Sequence, residues 1–265
     1  MQKASGQKRI VVKVGTSTLT HPSGRSNIRE FEALVRVLSD IMNAGYQVAL
    51  VTSGAIAVGV GKLGWQERPK DTPSKQAAAT VGQCELMFMY DKMFAEYGHK
   101  VGQLLITKED VDDPKRHHNL VACFNTLFSL GVMPIINEND AVAVEEIVYG
   151  DNDSLSAIVA ELVHADELII LSDIDGLYDA DPRHNPQAKR IPRVDAITPE
   201  LWRICGGAGS AHGTGGMETK LHAAQIATQA GIDTWIINGR PADNIYKVLE
   251  RQDIGTYFKG VTANA

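Results

Sequence analysis

Cysteine is scarce in this 265-residue sequence: Cys84, Cys123 and Cys205 are odd in number and far apart. Such spacing supports neither a disulfide framework nor a zinc site, and it fits a reducing cytoplasm. Positive charge is not in excess either, since 26 Lys and Arg stand against 32 Asp and Glu, a net charge of −6. A nucleic-acid binder would show a basic stripe, so that class is disfavoured. Any anionic ligand must then be held by local groups. Long hydrophobic runs are also missing, and nothing approaches the roughly 18 apolar residues of a membrane span. The apolar stretch near the basic N-terminus is short and broken by Lys13, unlike the core of a signal peptide. No repeat, low-complexity linker or shift in composition divides the chain. One domain over 1–265 is expected, long enough to bury a sizeable core.

What the sequence does have is an alternation of short β-branched runs with longer helical patterns. RIVVKV (9–14), YQVALVT (46–52), VGQLLIT (101–107), VMPIIN (132–137), DELIILS (166–172) and DTWIIN (233–238) read as buried strands. Segments 27–43, 54–63, 74–97, 115–130, 153–164, 217–230 and 241–250 read as helices, the first opening on Asn27 with Glu30 and closing at Gly45. The rhythm predicts an α/β fold, a three-layer α/β/α sandwich around a mainly parallel sheet. Two stretches depart from it: 138–152 alternates weakly like a hairpin, and 179–199, with four prolines, reads as a long loop.

In an open parallel sheet, ligands bind where the carboxyl ends of the strands meet the following loops and helix N-termini. The loop after the first strand is KVGTS (13–17), after the second TSGA (52–55), after the fourth NEND (137–140), and after the fifth SDIDGLYDADP (172–182). GDNDSLS (150–156) opens one helix and GTGGMETK (213–220) precedes another. Gly54 and the pair Gly215 and Gly216 sit where backbone amides can approach a phosphate. Lys13 is the most telling residue, because a lysine inside an apolar strand costs burial energy unless a partner or ligand meets it. With Lys220 on another loop at the same sheet edge, it suggests phosphoryl transfer, each ammonium neutralising part of the transition state. The acidic groups are ambiguous: Asp151 and Asp153 suit helix capping, and Asp173 suits a turn as well as a ribose or a magnesium-linked water.

Several motif matches fail on context. GVGKLG (59–64) satisfies G-x-G-x-x-G, but it ends a helical stretch, whereas a dinucleotide fingerprint follows a strand. HGTGG (212–216) resembles an oxyanion-hole segment without any G-x-S-x-G to supply a nucleophile. DIDG (173–176) starts like a calcium loop, but its glycine comes two positions early and no glutamate stands at the twelfth. His117 and His118 lack metal-ligand spacing. The segment 213–220 is no P-loop, since Lys220 follows Thr219 rather than glycine.

Taken in order, VVKVGTSTL, VTSGAIAVG, SKQAAATVGQ, INENDAV, GDNDSLSA, LSDIDGLYDADPR and GTGGMETK resemble the amino acid kinase family along essentially the whole chain. Within it they are most similar to members that phosphorylate L-glutamate. The resemblance implies ATP-dependent phosphorylation of the side-chain carboxylate of L-glutamate to L-glutamyl 5-phosphate, the first step of proline synthesis. ATP and Mg2+ are the implied cofactors, the metal being carried by the ATP phosphates with no side-chain ligand of its own. Lys13 and Lys220 would contact the phosphates and the transferred group, and Asp153 would organise them. Ser53, Gly54, Asp140 and Asn152 would bind glutamate. Gly15, Ser172, Asp173, Thr214, Gly215, Gly216, Met217, Glu218 and Thr219 would join the lysines in holding ATP. Many members of that branch carry a further C-terminal domain of an RNA-binding (PUA) type; with the chain stopping at Ala265, none is expected here.

A carboxylate is already an anionic nucleophile, so such an enzyme needs charge neutralisation and alignment rather than a general base. The resemblance also implies proline as a feedback inhibitor acting at the glutamate site and the 138–152 segment, and a handover of product to glutamyl phosphate reductase. Apolar residues on several sides of helix 74–97, among them Ala77–Ala79, Val81, Leu86–Met89, Met93 and Phe94, point to a homo-oligomer, dimer or tetramer; a deeply buried helix is the alternative. Rival readings are a sibling kinase acting on aspartate, acetylglutamate, carbamate or UMP, and a silent nucleotide-binding regulator. The acceptor that releases ADP separates the siblings. ATP binding without turnover would mark the regulator.

Overall fold

Strand β1, Arg9–Lys13, is buried along its whole length. A strand covered on both faces carries a nearly continuous apolar run, as parallel sheets require. In the computed structural model, which describes residues 6–21, 23–143, 152–182, 184–205 and 216–261, β1 is parallel to both of its neighbours, β2 (Gln47–Val51) and β5 (Glu167–Ser172). With β3 (Lys100–Ile106), β4 (Val132–Glu138), β6 (Arg193–Val194), β7 (Asp233–Asn238) and β8 (Thr256–Phe258) the sheet runs β3-β4-β2-β1-β5-β7-β8-β6. Among these strands, β7 and β8 alone pair antiparallel.

Alternation along the strands splits the core into two layers. Ile10, Val12 and Val14 join one cluster with Phe31, Leu34 and Leu38 of α2 (Ile28–Asn43), Val58 of α3 (Ala55–Leu63), Leu86, Tyr90 and Phe94 of α4 (Thr72–Glu96) and Ile245 of α10 (Asn244–Leu249). Val11 faces the other way, toward Phe124 of α6 (Pro114–Ser129), Val159 of α7 (Asn152–Leu162) and Leu221 and Ala224 of α9 (Met217–Gln229). The three-layer sandwich expected from the rhythm is therefore present. Asn27 caps α2 by accepting from the amide of Glu30 at 3.4 Å.

The structure departs from the sequence reading where elements are too short to show a period. The stretch 179–199 is not one loop: Tyr178 bridges Arg190, and β6 within it pairs with β8. Neither β8 nor the short helices α1 (Thr16–Leu19), α5 (Lys108–Asp112) and α8 (Pro199–Cys205) leaves a periodic trace. Most of the 138–152 hairpin lies outside the described residues; its start is the end of β4 and a turn.

GVGKLG proves to be a packing surface on α3. A Cβ on Gly59 would collide with the carbonyl oxygen of Ala78, and one on Gly82 with that of Ala55, so the backbones of α3 and α4 touch. Only glycine allows that approach. Burial also accounts for most of the apolar surface of α4: Ala78, Ala79, Leu86, Tyr90 and Phe94 are buried and Met87, Met89 and Met93 pack against the core, while Phe88 stays 63% exposed. A Gly82→Ala substitution is expected to lower the unfolding free energy by about 1–3 kcal/mol, the usual cost of overpacking. A urea midpoint equal to the parent's would show that α4 can shift without cost.

Candidate functional site

The pleat decides where Lys13 points. It follows Val11 by two residues, so its side chain enters the layer formed by α7 and α9. There it meets Asp153, in the first turn of α7 and fully buried. Lys13 Nζ lies 2.5 Å from Asp153 Oδ1 and Lys220 Nζ lies 3.0 Å from Oδ2. Lys220 comes from the first turn of α9, and both lysines are almost wholly buried. Thr219 Oγ1 bridges Asp153 Oδ2 at 3.0 Å and the carbonyl of Gly216 at 2.8 Å. The helix N-terminus of α7 favours the carboxylate, and the carboxylate holds apart two ammonium groups that would otherwise repel.

A cleft of about 470 Å3 opens above this triad. Lys13, Ser53, Asn137 and Ser172 line it from the carboxyl ends of β1, β2, β4 and β5 or just beyond them, with Asn152 and Lys220 from α7 and α9. The chain builds β2, β3 and β4 on one side of β1 and then crosses to β5 on the other. The crevice thus sits at the topological switch point, where such sheets bind ligands. Gly15, Thr16 and Ser17 form one lip. Gly54, with φ at +101°, caps α3 without a side chain and turns the chain into the cleft. That left-handed backbone favours glycine.

On one wall, polar groups form a chain of amides. Asn152 Nδ2 donates to the carbonyl of Thr52 at 2.6 Å, to Asn137 Oδ1 at 2.8 Å and to Ser53 Oγ at 2.9 Å. Thr52 Oγ1 in turn meets the hydroxyl of Tyr90 at 2.8 Å. Burial pushes the Tyr90 phenol well above its usual range, with the Thr52 bond opposing, so it stays neutral. Asp140 sits on the same wall, its pKa pushed up to about 6 by burial and held back by Arg68. Ser172 Oγ donates to Asp173 Oδ1 at 3.3 Å on the opposite side. Gly216 caps α9 in extended backbone with no side-chain cap, leaving the first amides of the helix for another acceptor.

A family model described as "Amino acid kinase family" matches residues 8–238. The chain belongs to the amino acid kinase family. A glutamate 5-kinase of Clostridium perfringens is 52% identical over 263 residues, covering 97% of this chain and 98% of that relative. Another, of Moorella thermoacetica, is 52% identical over 254 residues, covering 96% of this chain and 67% of the relative. Among solved structures, isopentenyl phosphate kinase of T. acidophilum superposes with a TM-score of 0.66 at 19% identity, over 95% of this chain and all of that one. UMP kinase of Ureaplasma parvum gives 0.64 at 18% identity, over 96% of this chain and 99% of that one. At such identities these two show the amino acid kinase fold alone.

Of the residues singled out from the sequence, Lys13, Gly15, Ser53, Gly54, Asp140, Asn152, Ser172, Asp173 and Lys220 line this single cleft, with Asp153 beneath it. Met217 packs its side chain on the lower core, Glu218 is exposed and Thr219 turns to Asp153. Thr214 and Gly215 lie outside the described residues. Asp153 is no simple helix cap, since its two oxygens face the two lysines. Sequence reasoning gave no individual role to Thr16 and Ser17, in the KVGTS loop it had marked, nor to Asn137, Glu138 and Arg68, all of which line the cleft. Asn137 and Glu138 stood in a loop already under suspicion. Arg68 left no signal, being an ordinary charge in a polar stretch.

Replacing Asp153 with asparagine leaves two buried ammonium groups face to face. Asp153→Asn is expected to cost about 3–5 kcal/mol of stability, as breaking a buried ion pair does, read as a lower urea midpoint. An unchanged midpoint would show that the lysines are not held by this charge.

Proposed function

We propose that the protein transfers the γ-phosphoryl group of ATP to the side-chain carboxylate of L-glutamate, giving ADP and L-glutamyl 5-phosphate, the entry reaction of proline synthesis. The observation that carries this reading is the convergence of Lys13 and Lys220, from opposite ends of the chain, on one buried aspartate at the floor of the cleft. A glutamate carboxylate oxygen attacks the γ-phosphorus in line, and the bond to the β-γ bridging oxygen breaks, leaving with ADP. The charge that spreads over the three equatorial oxygens is met by the two ammonium groups. Ser53, Gly54 and Asn152 hold glutamate on one wall, and Asp140 receives its ammonium group. Gly15, Ser172, Asp173 and the start of α9 hold ATP opposite. The cationic floor of Lys13 and Lys220 suits the phosphate chain of a magnesium-bound ATP, and the metal, when bound, would add to the neutralisation of phosphate charge.

The same reading extends to a reducing cytoplasm, in keeping with three free cysteines, and to proline as a competitor for the glutamate site. Delivery of the unstable acyl phosphate to a reductase belongs to it as well. We also propose a homo-oligomer, dimer or tetramer, with Phe88 of α4 at a subunit contact.

The decisive assay is ADP release from ATP with glutamate, aspartate, acetylglutamate, carbamate and UMP as acceptors. Turnover with glutamate is expected; turnover only with another acceptor, or ATP binding with no turnover, overturns the proposal. Lys220→Ala should lower kcat by about 10²–10³-fold, the scale for losing one transition-state donor, with the KM for glutamate little changed. Unchanged turnover would remove Lys220 from the chemistry. Because Asp140 is protonated below about pH 6, the KM for glutamate should rise as pH falls from neutrality through that value, while that for ATP stays level. A flat glutamate profile, or an Asp140→Ala variant that loses only ATP affinity, would contradict its role.

A further inference from the structure

The segment SKQAAATVGQ (74–83) ends in a residue that the proposed chemistry does not use. Gln83 lies in the middle of α4, 8% exposed, and faces the sheet rather than solvent. Its Oε1 accepts a hydrogen bond from Asn137 Nδ2 at 2.8 Å. Its own Nε2 has no partner among the described residues. An unpaired buried amide group is unfavourable, and a methionine or leucine there would avoid that cost. The group whose presence needs explaining is therefore the acceptor oxygen.

That oxygen acts at one remove from the cleft. Asn137, only 2% exposed, is fixed at both ends of its amide: Nδ2 by Gln83 and Oδ1 by the backbone amide of Glu138 at 2.9 Å. So held, Oδ1 also serves as one of three acceptors around Asn152 Nδ2. With every amide hydrogen of Asn152 directed at the wall, Asn152 Oδ1 is left as an acceptor for the cleft.

We propose that Gln83 is a positioning residue for the amino acid substrate, fixing Asn152 through Asn137. Without the Gln83 oxygen, the buried Nδ2 of Asn137 has no acceptor. Rotating it toward water in the cleft carries Oδ1 away from Asn152, which then loses one of its anchors. The substrate binds less well, while the lysine triad and the ATP side are untouched. This rests on the reading of Asn152 as a glutamate ligand, and the test separates the two.

The experiment compares Gln83→Met, which keeps length but removes the acceptor, with Gln83→Glu, which keeps an oxygen for Asn137. Steady-state kinetics are measured for glutamate and for ATP, with thermal melting as a check of folding. Gln83→Met is expected to raise the KM for glutamate about five- to tenfold, the scale of one lost hydrogen bond. Its kcat and KM for ATP should stay within about twofold, and Gln83→Glu should stay near the parent in all three. If Gln83→Met does not fold, Gln83→Asn, one methylene too short to reach Asn137, carries the same expectation. Equal effects of the Met and Glu variants, or a KM for ATP that rises in step, would overturn the proposal. Asn152→Ala is run alongside. If it raises the KM for glutamate and Gln83→Met does not, Gln83 alone falls; if it leaves that KM unchanged, the site reading falls and takes Gln83 with it.

Discussion

One buried carboxylate organises this molecule. Asp153 stands between two ammonium groups that arrive from β1 and α9, and it is itself supplied by α7. Removing three charged groups from water is costly, and their mutual attraction offsets that cost only with close contacts on every side. The arrangement therefore ties the central strand to both helices of one layer. The three groups together carry one net positive charge and lie almost wholly out of solvent. In the proposed reaction a phosphate chain would meet cations whose positions were set during folding, so little reorganisation would be needed when charge moves.

The opposite layer sets the other wall. The glycine contacts bring the backbones of α3 and α4 together, and α4 packs its buried face on the same core layer as β1 and β2. That proximity lets Gln83 and Tyr90 reach Asn137 and Thr52. The amides of β2, β4 and α7 are thus linked to a helix that never enters the cleft. Core packing and site geometry are continuous here, because the residues that crowd the helices together also set the depth of the polar side chains.

The shared architecture also explains what can vary. Isopentenyl phosphate kinase and UMP kinase have this fold at under 20% identity, so the sheet does not by itself select the acceptor. Function resides in side chains placed on a fold. In this chain the loops after β2 and β4 and the start of α7 hold the candidates for acceptor selection, whereas in the proposed reaction Lys13, Asp153 and Lys220 would act on the phosphoryl group rather than on the acceptor.

Long, strongly periodic segments were legible without coordinates: six of the strands and seven of the helices follow from apolar patterning alone, within a few residues. β6, β8 and the short helices α1, α5 and α8 were not, because they span too little chain to establish a period. Lys13 stood out because a charge in an apolar strand demands an explanation, and its place at a strand's carboxyl end marked the cleft. The glycines of GVGKLG were legible only as not being a nucleotide fingerprint, since close helix contact depends on the partner helix. Gln83 and Arg68 were silent, as a glutamine in a helix and an arginine in a polar loop are ordinary residues. The sequence by itself thus determined the layers, the edge of the sheet at which the cleft opens and half of the residues that line it, because periodicity and burial cost are local properties. The tertiary structure supplied the contacts by which Asp153 holds Lys13 and Lys220, a pairing the family resemblance had implied, and it alone decided that an amide on α4 reaches the cleft through Asn137. Those contacts join residues 54 to 140 positions apart, and no local pattern encodes which distant partner a buried polar group will meet.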